Sequence, residues 1–292
     1  MIDFIVIVAP IEHFNTFNSF NPFEWKGLKF YPKFKKGNLK GFESEYKGLR
    51  VILYYNKIQI SNSLHKFYKG NNYSDFTHSE LTNAIQEICQ IFEIKAKCWE
   101  IKKLEFGFNI LTLKPAKEYI ALFLEYKERK FEKMKHKQTD YGRKCFLYEY
   151  ALKVYDKSLQ CKAMDSMRIS DKTLRVEFCY NQKRKLPKLI ETLADLMDKD
   201  KFKELFRDLN EAFAKVIYND EVDFTNSTNE ERILFYASLN PDFIKVEEQI
   251  NKTEAKAIRL KIKQLKERFF KKEFKKWFLK ALSDKYIELY CC

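Results

Sequence analysis

The chain has 292 residues, of which 45% are hydrophobic and 33% charged, a composition typical of a folded protein and not of a disordered one. Its 7 Gly and 6 Pro exclude collagen-like and Pro/Gly-rich low-complexity classes. Lys and Arg outnumber Asp and Glu by 55 to 41, and the net charge of +14 favours a polyanionic partner, nucleic acid first and an anionic membrane surface second. An AT-rich coding sequence would produce the same excess of lysine.

Cysteine usage and the start of the chain point to a cytoplasmic protein. The seven cysteines include no C-x-x-C pair, which argues against a zinc site of common spacing, and a chain of this size does not need disulfides to fold. The apolar residues 2–8 include Asp3 and follow no basic segment, so they indicate a buried strand rather than a signal peptide. No run approaches about 18 apolar residues, and we expect no membrane partner.

The N-terminal part of the chain is rich in predicted strands. Glycines divide short runs such as 28–34 and 50–60, a pattern typical of a β-meander. Thr77 and Glu80 have the spacing of a capping box and predict the start of a helix. Further strands are predicted at 99–111, 144–157 and 173–181. A second helix is predicted from Pro115, with one face formed by Tyr119, Leu122, Phe123 and Tyr126.

After residue 186 the apolar residues repeat at helical spacing. A polar connector is predicted at 219–229, and Thr253 is predicted to cap a long final helix. Residues 256–280 contain eleven Lys or Arg and two Glu beside an apolar stripe, which indicates an amphipathic helix packed on the body. Its basic face is suited to the phosphate backbone or to a membrane surface. The predicted phosphate contacts are Lys261, Arg268, Lys272 and Lys275.

The predicted strands at 103–110 and 173–181 each carry one apolar and one polar face, and in 152–157 Lys153, Tyr155 and Lys157 alternate with Leu152, Val154 and Asp156. Because side chains alternate along a strand, the polar residues share one surface if the strands are neighbours. That surface would hold Glu105, Tyr155, Lys157, Arg175 and Glu177. A phosphodiester-cleaving site needs three components. These are acids that bind a divalent cation, a tyrosine that acts as the nucleophile, and cationic side chains that stabilise the phosphate charge. Ordinary half-exposed antiparallel strands show the same alternation.

Two further observations concern the kind of site. His65 follows a predicted strand at 57–60 and is a candidate metal ligand in a loop, although a solvated histidine is the simpler interpretation. The sequence has no H-x-H pair, which excludes a two-histidine metal site within one strand. It also lacks a P-loop, GxGxxG, GxSxG and HExxH, which argues against an NTPase, a dinucleotide enzyme, an α/β-hydrolase or a zincin.

The order of these segments resembles the gene-II-type rolling-circle replication initiators of filamentous phages and plasmids, which are related to HUH endonucleases. Residues 101–108, IKKLEFGF, look like the family's acidic strand, I-x-R-[IL]-[DE]-x-x-F. Residues 151–157, ALKVYDK, look like its Y-x-K segment, and residues 173–178, TLRVEF, like the strand that follows. The opening MIDFIV and the SLHK to DF stretch at 63–76 also fit. The resemblance covers about residues 1–186.

The resemblance implies an α+β fold with an antiparallel-sheet Rep-type nuclease domain at 1–186, followed here by a helical, basic domain at 187–292. It implies site-specific nicking of one strand of double-stranded origin DNA, a 5′-phosphotyrosine link, later religation, and a requirement for Mg²⁺ or Mn²⁺. Host helicase and polymerase would be partners in the cytoplasm of a bacterial host. Tyr155 is the implied nucleophile with Lys157 beside it, and Glu105 the first metal ligand.

The remaining site residues are less specified by the motifs. His65 and Glu177 are the further candidate metal ligands. The candidate DNA contacts near the site are Lys66, Lys69, Lys153 and Arg175. A non-catalytic DNA-binding replication or copy-control protein on the same fold is the main alternative, and a membrane-surface protein is the third.

Overall fold

The computed structural model describes residues 1–12, 21–164, 167–240 and 242–291. Its strands, in chain order, are β1 Ile2–Pro10, β2 Phe23–Trp25, β3 Leu28–Lys35, β4 Asn38–Tyr46, β5 Leu49–Tyr54, β6 Lys57–Ser63, β7 Glu100–Leu111, β8 Phe123–Tyr126, β9 Arg129–Lys130, β10 Glu132–His136, β11 Thr139–Leu147, β12 Tyr150–Asp156, β13 Thr173–Tyr180 and β14 Ile217–Tyr218. In this part of the chain, eleven form one antiparallel sheet of order β10-β11-β12-β13-β7-β1-β6-β5-β4-β3-β2, and β14-β8-β9 form a small second sheet.

Helices occupy the connections and the C-terminal part. They are α1 Leu64–Lys69, α2 His78–Phe92, α3 Ala116–Ile120, α4 Lys157–Met164, α5 Leu193–Met197, α6 Lys199–Ala214, α7 Asn229–Ala237, α8 Phe243–Ile250, α9 Lys252–Phe269 and α10 Glu273–Cys291. The architecture is therefore a mixed α+β fold built on a large antiparallel sheet, as predicted at that level. None of the helices in the described ranges is long and apolar enough to cross a membrane.

The meander predicted from the glycines is confirmed. The β3–β4 turn places Lys36 and Gly37 at φ 52° and 77°, and the turns at Lys26–Gly27 and Lys47–Gly48 also have two successive positive φ values. Two successive positive φ values match the tight hairpin turns whose twist suits antiparallel strands. The predicted strand at 50–60 is split by a turn into β5 and β6, and the run at 144–157 is split into β11 and β12.

Two helix predictions had different outcomes. Thr77 caps α2 with the full capping box, since its side chain accepts from the Glu80 amide and Glu80 accepts from the Thr77 amide. The helix predicted from Pro115 is wrong beyond Ile120, because the chain turns into β8, which pairs with β9 and β14. Long-range pairing overrides the local helical spacing there.

The apolar faces of β7 and β13 are covered by helices from the C-terminal part. Phe106 packs against Phe202 of α6, with ring centroids 5.6 Å apart, and Phe108 packs against Phe206 and Tyr286 of α6 and α10. These residues belong to one hydrophobic cluster with the sheet, apart from a smaller cluster around Phe235 of α7. Helices α5, α6 and α10, which we expected in a separate domain at 187–292, thus share the core of the sheet.

The predicted long final helix is two helices. Asn251, rather than Thr253, caps α9, because its Oδ1 accepts the amides of Thr253 at 3.0 Å and Glu254 at 3.3 Å. The chain leaves helical geometry at Phe270, where it forms a bridge with Val222 of the 219–229 connector. The basic face of 256–280 is therefore divided between α9 and α10 and does not form one continuous stripe.

Candidate active site

The polar residues of three adjacent strands lie on one face of the sheet, in two cross-strand rows. In the first, Tyr155 pairs with Arg175, which pairs with Asn109. In the second, Lys153 pairs with Glu177, which lies opposite Gly107. Alternation along β7, β12 and β13 therefore places Tyr155, Arg175 and Glu177 together, beside Glu105.

Glu177 is the centre of this group. Its Oε1 accepts the Tyr155 hydroxyl at 2.8 Å and Nε of Arg175 at 3.0 Å, and its Oε2 lies 3.3 Å from Nζ of Lys153. Tyr155 and Arg175 are only 2% and 1% exposed. A buried carboxylate that accepts hydrogen bonds from a guanidinium and a phenol, and forms an ion pair with a second cation, is held ionised and fixed in orientation.

Asp3 is a second buried acid and was not among the predicted site residues. It accepts hydrogen bonds from the Ser63 hydroxyl and from Nδ2 of Asn72 at 3.0 Å, and lies 3.6 Å from the Arg175 guanidinium. Its signal in the sequence is an acid inside the apolar strand at 2–8, because a charge buried in a core needs a partner. Arg175 thus lies between two buried acids, Asp3 and Glu177.

Lys157 does not lie on the strand face, because it is the first residue of α4. Its Nζ nevertheless reaches the site, 5.8 Å from the centroid of the Tyr155 ring, and donates to Oδ1 of Asn72 at 2.9 Å. Burial, followed by the charge of Arg175, lowers the pKa of Lys157. The contact with Asn72 links Lys157 to Asp3 through one amide side chain.

Two glycines make room for these side chains. A Cβ on Gly107 would meet the Val176 carbonyl oxygen at 2.0 Å and Cγ of Glu177 at 2.9 Å. A Cβ on Gly142 would meet Cβ of Tyr155 at 2.4 Å. Both glycines lie directly opposite a site residue in the ladder, so the close approach of the strands depends on the missing side chain.

The electrostatics favour a protonated tyrosine. Burial and the adjacent charge of Glu177 raise the pKa of Tyr155 well above its usual value. The pKa of Glu177 is lowered: its burial acts to raise it, but Lys153 and Arg175 outweigh that effect. The pKa of Glu105 is raised by burial and by Glu177. Three acids, Asp3, Glu105 and Glu177, are thus matched by the three cations Lys153, Lys157 and Arg175.

The residues do not fit the expected Mg²⁺ or Mn²⁺ in this arrangement. In the described part of the chain, the group of acids, cysteines and histidines whose ligand atoms lie within 4.8 Å of one another consists of Glu105, Glu177 and Cys179. Both ions prefer oxygen ligands, and a thiol is a poor substitute. The Lys153 ammonium already contacts both carboxylates, at 2.8 Å from Glu105 and 3.3 Å from Glu177.

His65, a candidate metal ligand in a predicted loop, is instead in helix α1 and buried. Ser63 caps this helix, and the imidazole stacks on Phe76 with centroids 4.8 Å apart. Its Nε2 lies 3.4 Å from the Ser74 hydroxyl, and Nδ1 has no hydrogen-bond partner among the described residues. The structure does not place it in the group formed by Glu105, Glu177 and Cys179.

We expect His65 to make stability depend on pH. Burial and nearby cations, the chain's terminal amine and Arg175, lower its pKa to about 2. Because the folded pKa lies below the unfolded one, the stabilisation is complete above about pH 6.5 and is lost as the pH falls. Between pH 7 and 4.5 the wild-type protein should lose about 2–3 kcal/mol more unfolding free energy than His65→Phe. Urea unfolding at both pH values measures this, and equal losses would contradict it.

The predicted DNA contacts divide between surface and interior. Lys66, Lys261 and Lys272 are exposed, while Lys69 pairs with Glu80 at 2.5 Å and Arg268 pairs with Glu231. Burial, then the neighbouring Lys272, lowers the pKa of the partly buried Lys275. Arg175 and Lys153 lie in the buried ion-pair network rather than on the surface.

Sequence comparison finds no matching protein-family model and no matching curated protein.

Proposed function

We propose that the protein nicks and rejoins origin DNA with Tyr155 as the nucleophile. The observation that carries the proposal is the 2.8 Å hydrogen bond from the Tyr155 hydroxyl to Glu177, within a group that also holds Arg175, Lys153 and Lys157. A carboxylate in contact with a phenol is placed to accept its proton as the oxygen attacks phosphorus. The ordered resemblance of three strand motifs supports the same assignment.

The reaction is a transesterification. The Tyr155 oxygen forms a bond to phosphorus while its proton passes to Glu177, and the bond from phosphorus to the 3′-oxygen breaks. The departing 3′-oxygen takes a proton from water, and its hydroxyl then primes a host polymerase. Arg175 and Lys157 stabilise the negative charge that develops on the phosphoryl oxygens. The reverse reaction, with a 3′-hydroxyl as the attacking group, rejoins the displaced circle.

The proposal requires that bound DNA reach a hydroxyl that is covered in this structure. The Tyr155 ring packs edge-on against Tyr141, with centroids 5.9 Å apart, and Lys157 and Asn72 lie beside it. The lysines of α1 and of α9 and α10 would bind the phosphate backbone and orient the duplex without reading its sequence. Host helicase and polymerase would act on the nicked product in the bacterial cytoplasm.

The test is the formation of a covalent protein–DNA adduct. Supercoiled plasmids carrying the DNA around the gene are incubated with the protein in Mg²⁺, Mn²⁺ or EDTA, and nicked circles with bound protein are quantified. We expect Tyr155→Phe to bind DNA as the wild type does and to form at least about 10³-fold less covalent adduct than the wild type. Tyr148→Phe, whose side chain is exposed on a hairpin turn, is the matched control. An active Tyr155→Phe would exclude Tyr155 as the nucleophile.

A second candidate is a DNA-binding replication or copy-control protein without catalytic activity. The observation that favours it is the closed, charge-matched network, in which Tyr155 is 2% exposed and its hydroxyl proton is held by Glu177. On this proposal the network only stabilises the sheet, and the basic helices carry the function. DNA binding by a properly folded protein, with no adduct on any DNA or in any ion, would support it.

A further inference from the structure

We infer that Lys153 holds the position between Glu105 and Glu177 that a divalent cation would take, so the site carries a resident ammonium in place of Mg²⁺ or Mn²⁺. The catalytic meaning of this inference rests on the proposed function, but the occupancy of the position does not.

The geometry is that of a bridging cation. Nζ of Lys153 lies 2.8 Å from Oε1 of Glu105 and 3.3 Å from Oε2 of Glu177, contacts from one positive centre to two carboxylates on different strands. A metal ion there would be placed against the same oxygens, and the two cations would repel each other at that distance. Lys153 and the metal are therefore alternatives.

The backbone keeps the ammonium in place. Lys153 lies directly opposite Glu177 in the β12–β13 ladder, and Glu105 lies opposite Cys179 in the β13–β7 ladder. The side chain of Lys153 is 18% exposed and that of Glu177 is 2% exposed. If the Lys153 ammonium moved away, two carboxylates with little water around them would lose their cation, which is costly in free energy.

The charge of Lys153 is also retained. Its burial acts to lower the pKa, but the neighbouring Glu177, Cys179 and Glu105 raise it above the usual lysine value. The ammonium of Lys153 and the hydroxyl of Tyr155 contact the two oxygens of the same carboxylate, that of Glu177. In the proposed reaction the ammonium offsets the charge of the phosphoryl group, as a metal ion does in other sites.

The first experiment measures Mn²⁺ binding by electron paramagnetic resonance, independently of any reaction. We expect Glu105→Gln to bind Mn²⁺ as the wild type does, because Lys153 keeps Glu105 and Glu177 from the ion. Lys153→Ala should bind one Mn²⁺ at least tenfold more tightly than the wild type, and Lys153→Ala with Glu105→Gln should lose this gain. Lys153→Arg keeps the charge and should bind no more than the wild type, and circular dichroism verifies that each variant is folded.

The inference would be overturned if the wild type bound Mn²⁺ stoichiometrically and Glu105→Gln lost that binding. It would also be overturned if Lys153→Ala folded but bound Mn²⁺ no more tightly than the wild type. The adduct assay separates this from the proposed function. Adduct formation in EDTA supports the inference, whereas adduct formation that requires added metal and Tyr155 overturns it and leaves the nicking proposal intact. If no adduct forms on any DNA, the nicking proposal fails and the Mn²⁺ measurement still decides the inference.

Discussion

Replacing Arg175 with methionine is expected to lower the unfolding free energy by about 3–5 kcal/mol, as the removal of one partner from a buried ion pair does. Arg175 is 1% exposed, donates to Glu177 at 3.0 Å and to Asn109 at 3.3 Å, and lies near Asp3. Methionine fills a similar volume, so the loss comes from two acids left without their shared cation. Chemical denaturation monitored by tryptophan fluorescence measures the change.

The matched control is Arg50→Met. Arg50 also contacts a glutamate, Glu43, across neighbouring strands, but its side chain is 50% exposed and that of Glu43 is 34% exposed. Water compensates for the loss of such a pair, and the expected cost is about 0–1 kcal/mol. If Arg175→Met and Arg50→Met lowered the unfolding free energy by similar amounts, the buried ion pairs of Arg175 would contribute no more to stability than the exposed pair of Arg50.

Gly107→Ala is expected to lower the unfolding free energy by about 3 kcal/mol, at the upper end of the range for overpacking. The added methyl group would lie 2.0 Å from the Val176 carbonyl oxygen and 2.9 Å from Cα of Glu177. Both are backbone atoms of the neighbouring strand, so the strands must separate. Because Glu177 lies in this row, we also expect Gly107→Ala to displace its carboxylate from Tyr155 and to reduce adduct formation in the assay proposed above.

Gly37→Ala provides the comparison for glycine replacement without a clash. Among the residues that the structure describes, none has an atom within 4 Å of its Cβ position, and its φ of +77° costs an L-residue about 1–2 kcal/mol. Thermal denaturation of both variants separates the two effects. If Gly107→Ala is no less stable than Gly37→Ala, the close approach of β7 and β13 at Glu177 is not a constraint on the fold.

Several features of the site follow from local rules and were predicted. The alternation of side chains along a strand placed Tyr155, Arg175 and Glu177 on one face once the strands were neighbours, and the Thr77–Glu80 spacing marked the start of α2. The helix predicted beyond Ile120 failed, because one pairing partner of β8 is β14, which lies about 90 residues later in the sequence. The break at Phe270 was missed for the same reason, since its partner is Val222.

The sequence by itself determined which residues of β7, β12 and β13 share a face, because that depends on residue type and on a period of two. Only the tertiary structure decided which charges meet. Asp3 and Asn72 are 69 residues apart and Lys157 and Asn72 are 85 residues apart, so no local pattern links them. The position of Lys153 between two acids likewise depends on the register of three strands, and a shift by one residue would move every side chain to the other face.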